Sequence, residues 1–466
     1  MHRRMLPVGL AVLLSACAAG PDYVRPEAAE PAGFTRAEGG VFPAGEGEAR
    51  FWRSFADPVL TTLVEDALSS NHDVQIAAAR YEQARAFERH ARLERRPGVT
   101  ATAQAADVRA SADQMPDVSR NQRDFESYDL GVRAAWELDF FGRLRRGAQA
   151  QQALAEAGRA DLSAVQVAVV GEVARGYFEL RGLQQQLAVA RGNAANQRRS
   201  LGLVEARLEA GRGTDLDVAR ARAQLQGTLA LIPVLDGEVA VTAHRLAVLT
   251  GREPGALAGT LSRSAPMPAL PDRVPVGTPG EVLRRRPDVR SAERRLAAAT
   301  ERVGIATADL FPRFTLGALI GTQAADLGNL FQRDSETRIV ALGVDWTFLD
   351  AGRVRARIAA ADADAGAHLV HYRQTVLLAL EETESSMVRY AHARQEQAYL
   401  EAAAAAGSEA AGLARLRFEA GAVDFLQVLD AERAQLEAEA RLAHGRTRAA
   451  VALVALYRSL AGGWES

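Results

Sequence analysis

Residues Asp345–Arg357 read DWTFLDAGRVRAR, and residues Trp136–Ala148 read WELDFFGRLRRGA. In each, a Trp is followed six residues later by Gly-Arg, then an apolar residue and another Arg. Trp136 and Trp346 lie 210 residues apart, as do Gly142 and Gly352, Gly211 and Gly421, and Val218 and Val428. Upstream the spacing is 215: Val74 matches Val289, and Pro97 matches Pro312. The change of five falls between two expected strands, in a hairpin loop, where insertions are best tolerated. One helix–hairpin–helix–turn–helix unit is therefore written twice, over residues 51–250 and 288–466, with a Pro/Gly-rich connector at 251–287.

The segment before each phrase has period two. Val132, Ala134, Trp136 and Leu138 share one face, and Arg133, Ala135, Glu137 and Asp139 the other. This alternation predicts strands at about 98–112 and 125–139, and again at about 313–323 and 336–349. Each is long enough to cross a membrane as a tilted β-strand. After each phrase the period turns helical. Leu162, Val165, Val169, Val173, Tyr177 and Leu180 step by three and four, and no Pro interrupts residues 143–210. That predicts a helix on the order of 100 Å long. A second such run spans 353–418, and helices follow to about 250, with a kink expected at Pro233, and to about 460. Further helices are expected from the Asp57-Pro58 start, from 71–73, and over 288–311. The repeated phrase thus marks the place where a strand leaves the membrane and becomes a long helix.

Four strands cannot close a membrane barrel, and an open sheet edge is not tolerated in lipid. Other copies must supply the rest. Two copies give eight strands, enough for a narrow filled barrel; three give twelve, enough for a channel.

The N-terminus, MHRRMLPVGLAVLLSACAAG, has two Arg, a short apolar run and small residues, the pattern of a secretory signal peptide over 1–16. Leu14-Ser15-Ala16-Cys17 resembles a bacterial lipobox, with Cys17 lipidated; the plainer reading is an ordinary signal with an incidental Cys. Cys17 is the chain's only Cys, so no disulfide within the chain is possible. Residues 17–50 read as an extended linker. Net charge is −2 over 466 residues, which gives no bias toward nucleic acid. All 56 basic residues are Arg, read here as codon bias. The eight His show no paired metal spacing, and no nucleotide loop or nucleophile elbow is present. An enzyme, a metal site and a cofactor beyond a covalent lipid are not expected.

CAAGPDYVRPE, FWRSFADPVL at Phe51, LRRRPDVRSAERRLAAA at Leu283 and the two helix tips together resemble the outer-membrane efflux lipoproteins of the NodT/OprM type, in the TolC superfamily. The resemblance covers nearly the whole mature chain. It implies a mainly α chain with membrane β-structure: four strands completing a twelve-stranded trimeric barrel in the outer membrane, on a long α-helical barrel in the periplasm. It implies an equatorial region from residues 190–200, 251–287 and the C-terminus. The implied partners are two further copies, a periplasmic adaptor and an inner-membrane RND-type pump. The implied activity is passive conduction of small molecules.

The helix tips, RLEAGRGTDLDVARA from Arg207 and RFEAGAVDFLQVLDA from Arg417, place Gly211 and Gly421 at reversals that need positive φ. The resemblance makes Arg207, Gly211, Arg417 and Gly421 the adaptor-docking tips. The plainer reading is helix capping, with Asp215 as N-cap. By the same resemblance, Asp217, Arg220, Gln427 and Asp430 form the periplasmic gate, with Gln427 standing where some relatives carry an acid. Otherwise these residues are a solvated helix face. Two other functions stay open from sequence: a duct for type I protein secretion, and a non-conducting helical scaffold.

Overall fold

The structure, a computed structural model, describes residues 19–27, 31–35, 41–43, 45, 48 and 50–461; Cys17 lies outside them. The elements run α1 (Pro58–Ser70), α2 (His72–Leu93), β1 (Gly98–Arg109), β2 (Asp124–Leu138), α3 (Arg143–Glu209), α4 (Asp215–Leu249), α5 (Ala258–Leu261), α6 (Pro279–Arg285), α7 (Pro287–Ala308), β3 (Arg313–Ala324), β4 (Glu336–Asp345), α8 (Ala351–Glu419) and α9 (Phe425–Ser459). They form two compact units, and each repeat contributes to both.

The first unit comprises residues up to 27, 80–158 and 291–373. Its centre is one antiparallel sheet in the order β1-β2-β3-β4, so β1 and β4 are the edges. Gly98 pairs with Ala135 in the first hairpin and Arg313 with Asp345 in the second. These pairs correspond under the offsets of 215 and 210, so the duplicated hairpins keep one register. β4 ends at Asp345 rather than near 349, and Phe348–Asp350 form a single 3₁₀ turn. The equivalent end of β2 stays extended because Trp136 and Leu138 pair with Leu316 and Phe314 of β3. At the free edge no ladder holds Trp346 and Phe348.

The repeated Trp has the same task twice. The Trp136 indole N–H donates to the Arg95 carbonyl, and that of Trp346 to the Leu310 carbonyl, each at 3.0 Å. Each ties a strand's exit to the chain end of the preceding helix. Around them Phe141 stacks on Phe311 at 4.5 Å and Phe140 meets Phe314 edge-on at 5.4 Å. These rings cluster where the strands pass into the helices. The two junctions then differ. Gly142 takes φ +82°, and the Asp139 carboxylate accepts the Leu144 and Arg145 amides. At the second junction the helix has already begun at Ala351, so Gly352 is helical.

Residues 19–25 strap onto this unit. The Ala19 amide donates to the Phe141 carbonyl at 3.1 Å. Gly20, at φ +85°, lies so close to Gly304 that a Cβ would come within 2.5 Å of its Cα. Arg146, 3% exposed, holds Glu301 at 2.9 Å and Asp22 at 2.7 Å. The Tyr23 hydroxyl donates to Glu293, which also pairs with Arg294. Burial works against charge on Glu293, but the hydrogen bonds from Arg294 and Tyr23 outweigh it and hold its carboxyl below the usual range. Ala153 of α3 packs on Ala297 and Ala298 of α7, small side chains that let the helices approach.

The second unit comprises residues 28–79, 159–290 and 374 onward. Its core gathers Phe51, Trp52 and Phe55 with Tyr177, Phe178, Leu246, Leu261, Val276, Met387, Tyr390, Leu453 and Tyr457. Phe51 stacks on Tyr457 at 4.8 Å. Asp57 caps α1 through the Val59 and Leu60 amides, and its other oxygen accepts the Tyr177 hydroxyl at 2.5 Å. Asn71 caps α2 and donates to Leu249 O. The linker is not wholly extended: Phe34 and Phe42 are buried in this core, and Val41 O accepts the Val274 amide. The connector carries α5 and α6, the latter with a Thr278/Glu281 capping box. Residues 190–200 lie within α3. Pro233 lies inside the continuous α4.

Candidate functional site

The two helix-turn-helix tips belong to the second unit and close in the same way. Gly211 takes φ +69° and Gly421 φ +75°. The Arg212 amide bonds to Arg207 O and the Gly211 amide to Leu208 O, both at 2.9 Å. Ala422 and Gly421 repeat this with Arg417 O and Phe418 O. This is the double-bonded helix end that needs a left-handed residue, where a Cβ costs roughly 1–2 kcal/mol. The next helix is capped by Thr214, not Asp215: the Thr214 hydroxyl oxygen accepts the Asp217 amide at 3.2 Å. Asp215 is the first helical residue, where a carboxylate is favoured by the exposed amides. Asp424, the counterpart of Thr214, caps α9 through the Gln427 amide.

A small core binds the tips together: Val204, Val218 and Ala221 from the first, Phe418, Phe425, Val428 and Leu429 from the second. The Arg207 guanidinium sits 4.1 Å from the centre of the Phe418 ring and donates to Phe418 O at 3.0 Å. Its counterpart Arg417 is exposed. The two tip arginines are thus not equivalent: Arg207 clasps Phe418 of the other tip, and Arg417 is exposed.

Among the described residues, no hydrogen bond or ion pair joins the four residues expected at the gate to one another. The Asp217 carboxylate accepts the Thr214 hydroxyl at 2.6 Å. Gln427, Asp430 and Arg220 are exposed. Asp430 pairs with Arg433 at 3.5 Å, and among the described residues Arg220 makes no ion pair.

Above the tips runs a buried polar ladder absent from the sequence reading. Ser200 donates to Glu432 at 2.8 Å, Asn193 to Glu439 at 2.9 Å, and Arg415 approaches Glu432 at 3.4 Å and Gln435 at 3.3 Å. Glu432 is 3% exposed. The 210 offset places Arg222 at the position of Glu432 and Glu205 at that of Arg415, and those two pair at 3.0 Å with their charges reversed. That reversal was the available sequence signal.

A half-exposed amphipathic sheet with two free edges, continued by two helical hairpins with matched tips, defines a subunit of a TolC-like outer-membrane channel. The outer membrane efflux protein family matches residues 63–252 and 278–462. Over its whole length the chain is 32% identical to the pyoverdine export outer membrane protein OpmQ of Pseudomonas putida, covering 98% of it. It is 30% identical to nodulation protein T of Rhizobium leguminosarum bv. trifolii over 93% of this chain and 91% of that one. The solved outer-membrane channel OprN superposes with a TM-score of 0.90 at 41% identity, covering 96% of this chain and all of OprN. The chain belongs to the outer membrane efflux protein family. It is an outer-membrane efflux channel protein.

Proposed function

We propose that three copies form a passive exit duct, joined in the periplasm to an adaptor and served by an inner-membrane RND-type pump. The observation that carries this is the sheet: four membrane-length strands, open at β1 and β4, with Val340, Leu342, Val344 and Trp346 exposed along one edge face. In lipid those edges must be paired. The helices agree. Along α4, Leu231, Val234, Val241 and Val248 form an exposed apolar stripe at heptad-like steps, which neighbouring helices would cover.

The exposed tip residues suit docking and gating. Arg417 and the turns at Gly211 and Gly421 face the adaptor. Three copies of Asp430, with Asp217, Gln427 and the exposed Arg220, narrow the mouth. Rings of acid favour cations, and Arg220 can pair with Asp430 of another copy. The test is single-channel conductance of purified protein in a planar bilayer, with oligomer mass from the same preparation. A trimer with small cation-selective conductance is expected, rising when Asp430→Asn and Arg220→Ala are combined. Unchanged conductance in that variant would reject the gate, and a monomer that never conducts would reject the duct.

Cys17 is the proposed lipid attachment. Supporting it, the Ala19 amide, two residues after Cys17, bonds to the Phe141 carbonyl just past the end of β2. The intact mass should exceed that of the polypeptide from Cys17 onward by a lipid, and Cys17→Ser should lose that excess. A parent without it would disprove the attachment.

A further inference from the structure

We infer that Arg133, Leu319 and Ile339 form a belt on the channel side of the sheet that takes up organic anions with an apolar body. This rests on the duct proposed above and gives it a cargo-binding station.

The register separates two faces of the sheet. On one, Val132, Ile320, Val340 and Leu342 are all exposed, as a surface meeting hydrocarbon requires. The other face, left to the water of the channel, is built of small residues. One row across its four strands reads Gly98, Ala135, Gly317, Ala341. Two rungs along, on the same face, a row reads Thr100, Arg133, Leu319, Ile339, and two rungs further another reads Thr102, Gly131, Gly321, Thr337. Three large side chains therefore stand together on a wall that is small immediately above and below them. Leu319 leans along that wall: a Cβ on Gly131 would lie 3.5 Å from its Cδ1.

The charge in this row has no local partner. Arg133 is exposed, and among the described residues it makes no ion pair. The acids on the same face of β2 are Asp129 and Glu137, each four residues along the strand and so roughly 13 Å away. Asp129 accepts the Ser127 hydroxyl at 3.1 Å, and Glu137 is held by Arg143 at 2.6 Å. Arg133 instead sits between Thr100 and Leu319, with Ile339 beyond. A guanidinium beside two aliphatic side chains suits a carboxylate or sulfonate whose apolar remainder covers the Leu and Ile. Three copies repeat the belt around the channel.

Cysteine labelling tests face, charge and cargo separately. The parent, whose one Cys is Cys17, is the blank, and native mass is read on every variant. In lipid vesicles, Thr100→Cys should react with small water-soluble thiosulfonates, and Ala101→Cys, on the opposite face, should not. In about 10 mM salt, adding Arg133→Gln to Thr100→Cys should lower the ratio of anionic to cationic reagent rates about fivefold, since one charge about 7 Å away acts oppositely on the two. In about 1 M salt that change should nearly vanish. Naphthalenesulfonate should slow labelling of Thr100→Cys by a neutral maleimide roughly threefold, while methanesulfonate and naphthyltrimethylammonium should not. Arg133→Gln should abolish the protection, and so should Leu319→Ala with Ile339→Ala. Labelling of Ala101→Cys in place of Thr100→Cys would overturn the face assignment and leave the trimer standing. A rate ratio indifferent to Arg133 would overturn the charged belt. No protection by naphthalenesulfonate, or protection that survives both sets of substitutions, would overturn the cargo class. A folded monomer would overturn the duct, and the belt with it.

Discussion

Arg146→Ala should lower the stability of the folded chain by about 3–5 kcal/mol, the loss that follows when one partner of a buried ion pair is removed. Arg146 is 3% exposed and the Glu301 side chain 10%. Without Arg146, Glu301 keeps a carboxylate that burial penalises and nothing nearby compensates. Asp22, 88% exposed, returns to water at little cost. The check is the urea midpoint of the helical circular dichroism signal. Replacing both partners by apolar residues, Arg146→Met with Glu301→Leu, should recover most of the loss, because the orphaned charge is gone. If the double variant is no better than the single, the penalty lies in packing against Gly304 rather than in charge.

Arg286→Ala should cost the second unit an amount near the low end of the same range. Arg286 pairs with Asp288 at 2.7 Å and Glu382 at 2.8 Å and donates to the Ser459 carbonyl at 3.0 Å. It joins the start of α7 to the middle of α8 and the end of α9. Asp288 and Glu382 keep a third or more of their side-chain surface in water, so they tolerate its loss better than Glu301 does. The Ser459 carbonyl gains no such relief from solvent: Ser459 is fully buried, and without Arg286 it would keep only the longer hydrogen bond from the Thr383 hydroxyl at 3.4 Å. Arg286→Lys should recover only part of the stability, because one ammonium cannot reproduce a planar fork serving three acceptors. Full recovery by Lys in the same denaturation measurement would show that charge alone suffices there.

What the sequence made legible was whatever repeats locally or needs one residue type. The Trp136 and Trp346 phrases located the strand–helix junctions because an interfacial indole and a turn residue must recur wherever such a junction recurs. Gly211 and Gly421 were readable because only a left-handed residue closes those helix ends. Asp57 and Pro58 announced α1 for the same kind of reason. Contacts made across long separations were not readable. Nothing in the neighbours of Arg207 says that Phe418 will lie beneath its guanidinium, and nothing around Phe34 or Phe42 marks them as core. The choice of Thr214 over Asp215 as cap also turned on geometry, since both residue types can cap. The end of β4 was misplaced because its length depends on an edge partner, a quantity outside any single chain.

The reversed pairs Arg222–Glu205 and Glu432–Arg415 bear on how a doubled gene stays reliable. Two hairpins of common descent, both long and alanine-rich, invite mistaken identity during assembly. Were the first to occupy the berth of the second, Arg222 would arrive where Glu432 is enclosed beside Ser200, facing Glu205 instead of Arg415. The outward pair is 60% and 44% exposed, whereas the Glu432 side chain is 4% exposed. Polarity at that one rung therefore works as a label distinguishing siblings, and the ancestral symmetry has been broken where an exchange would do most harm.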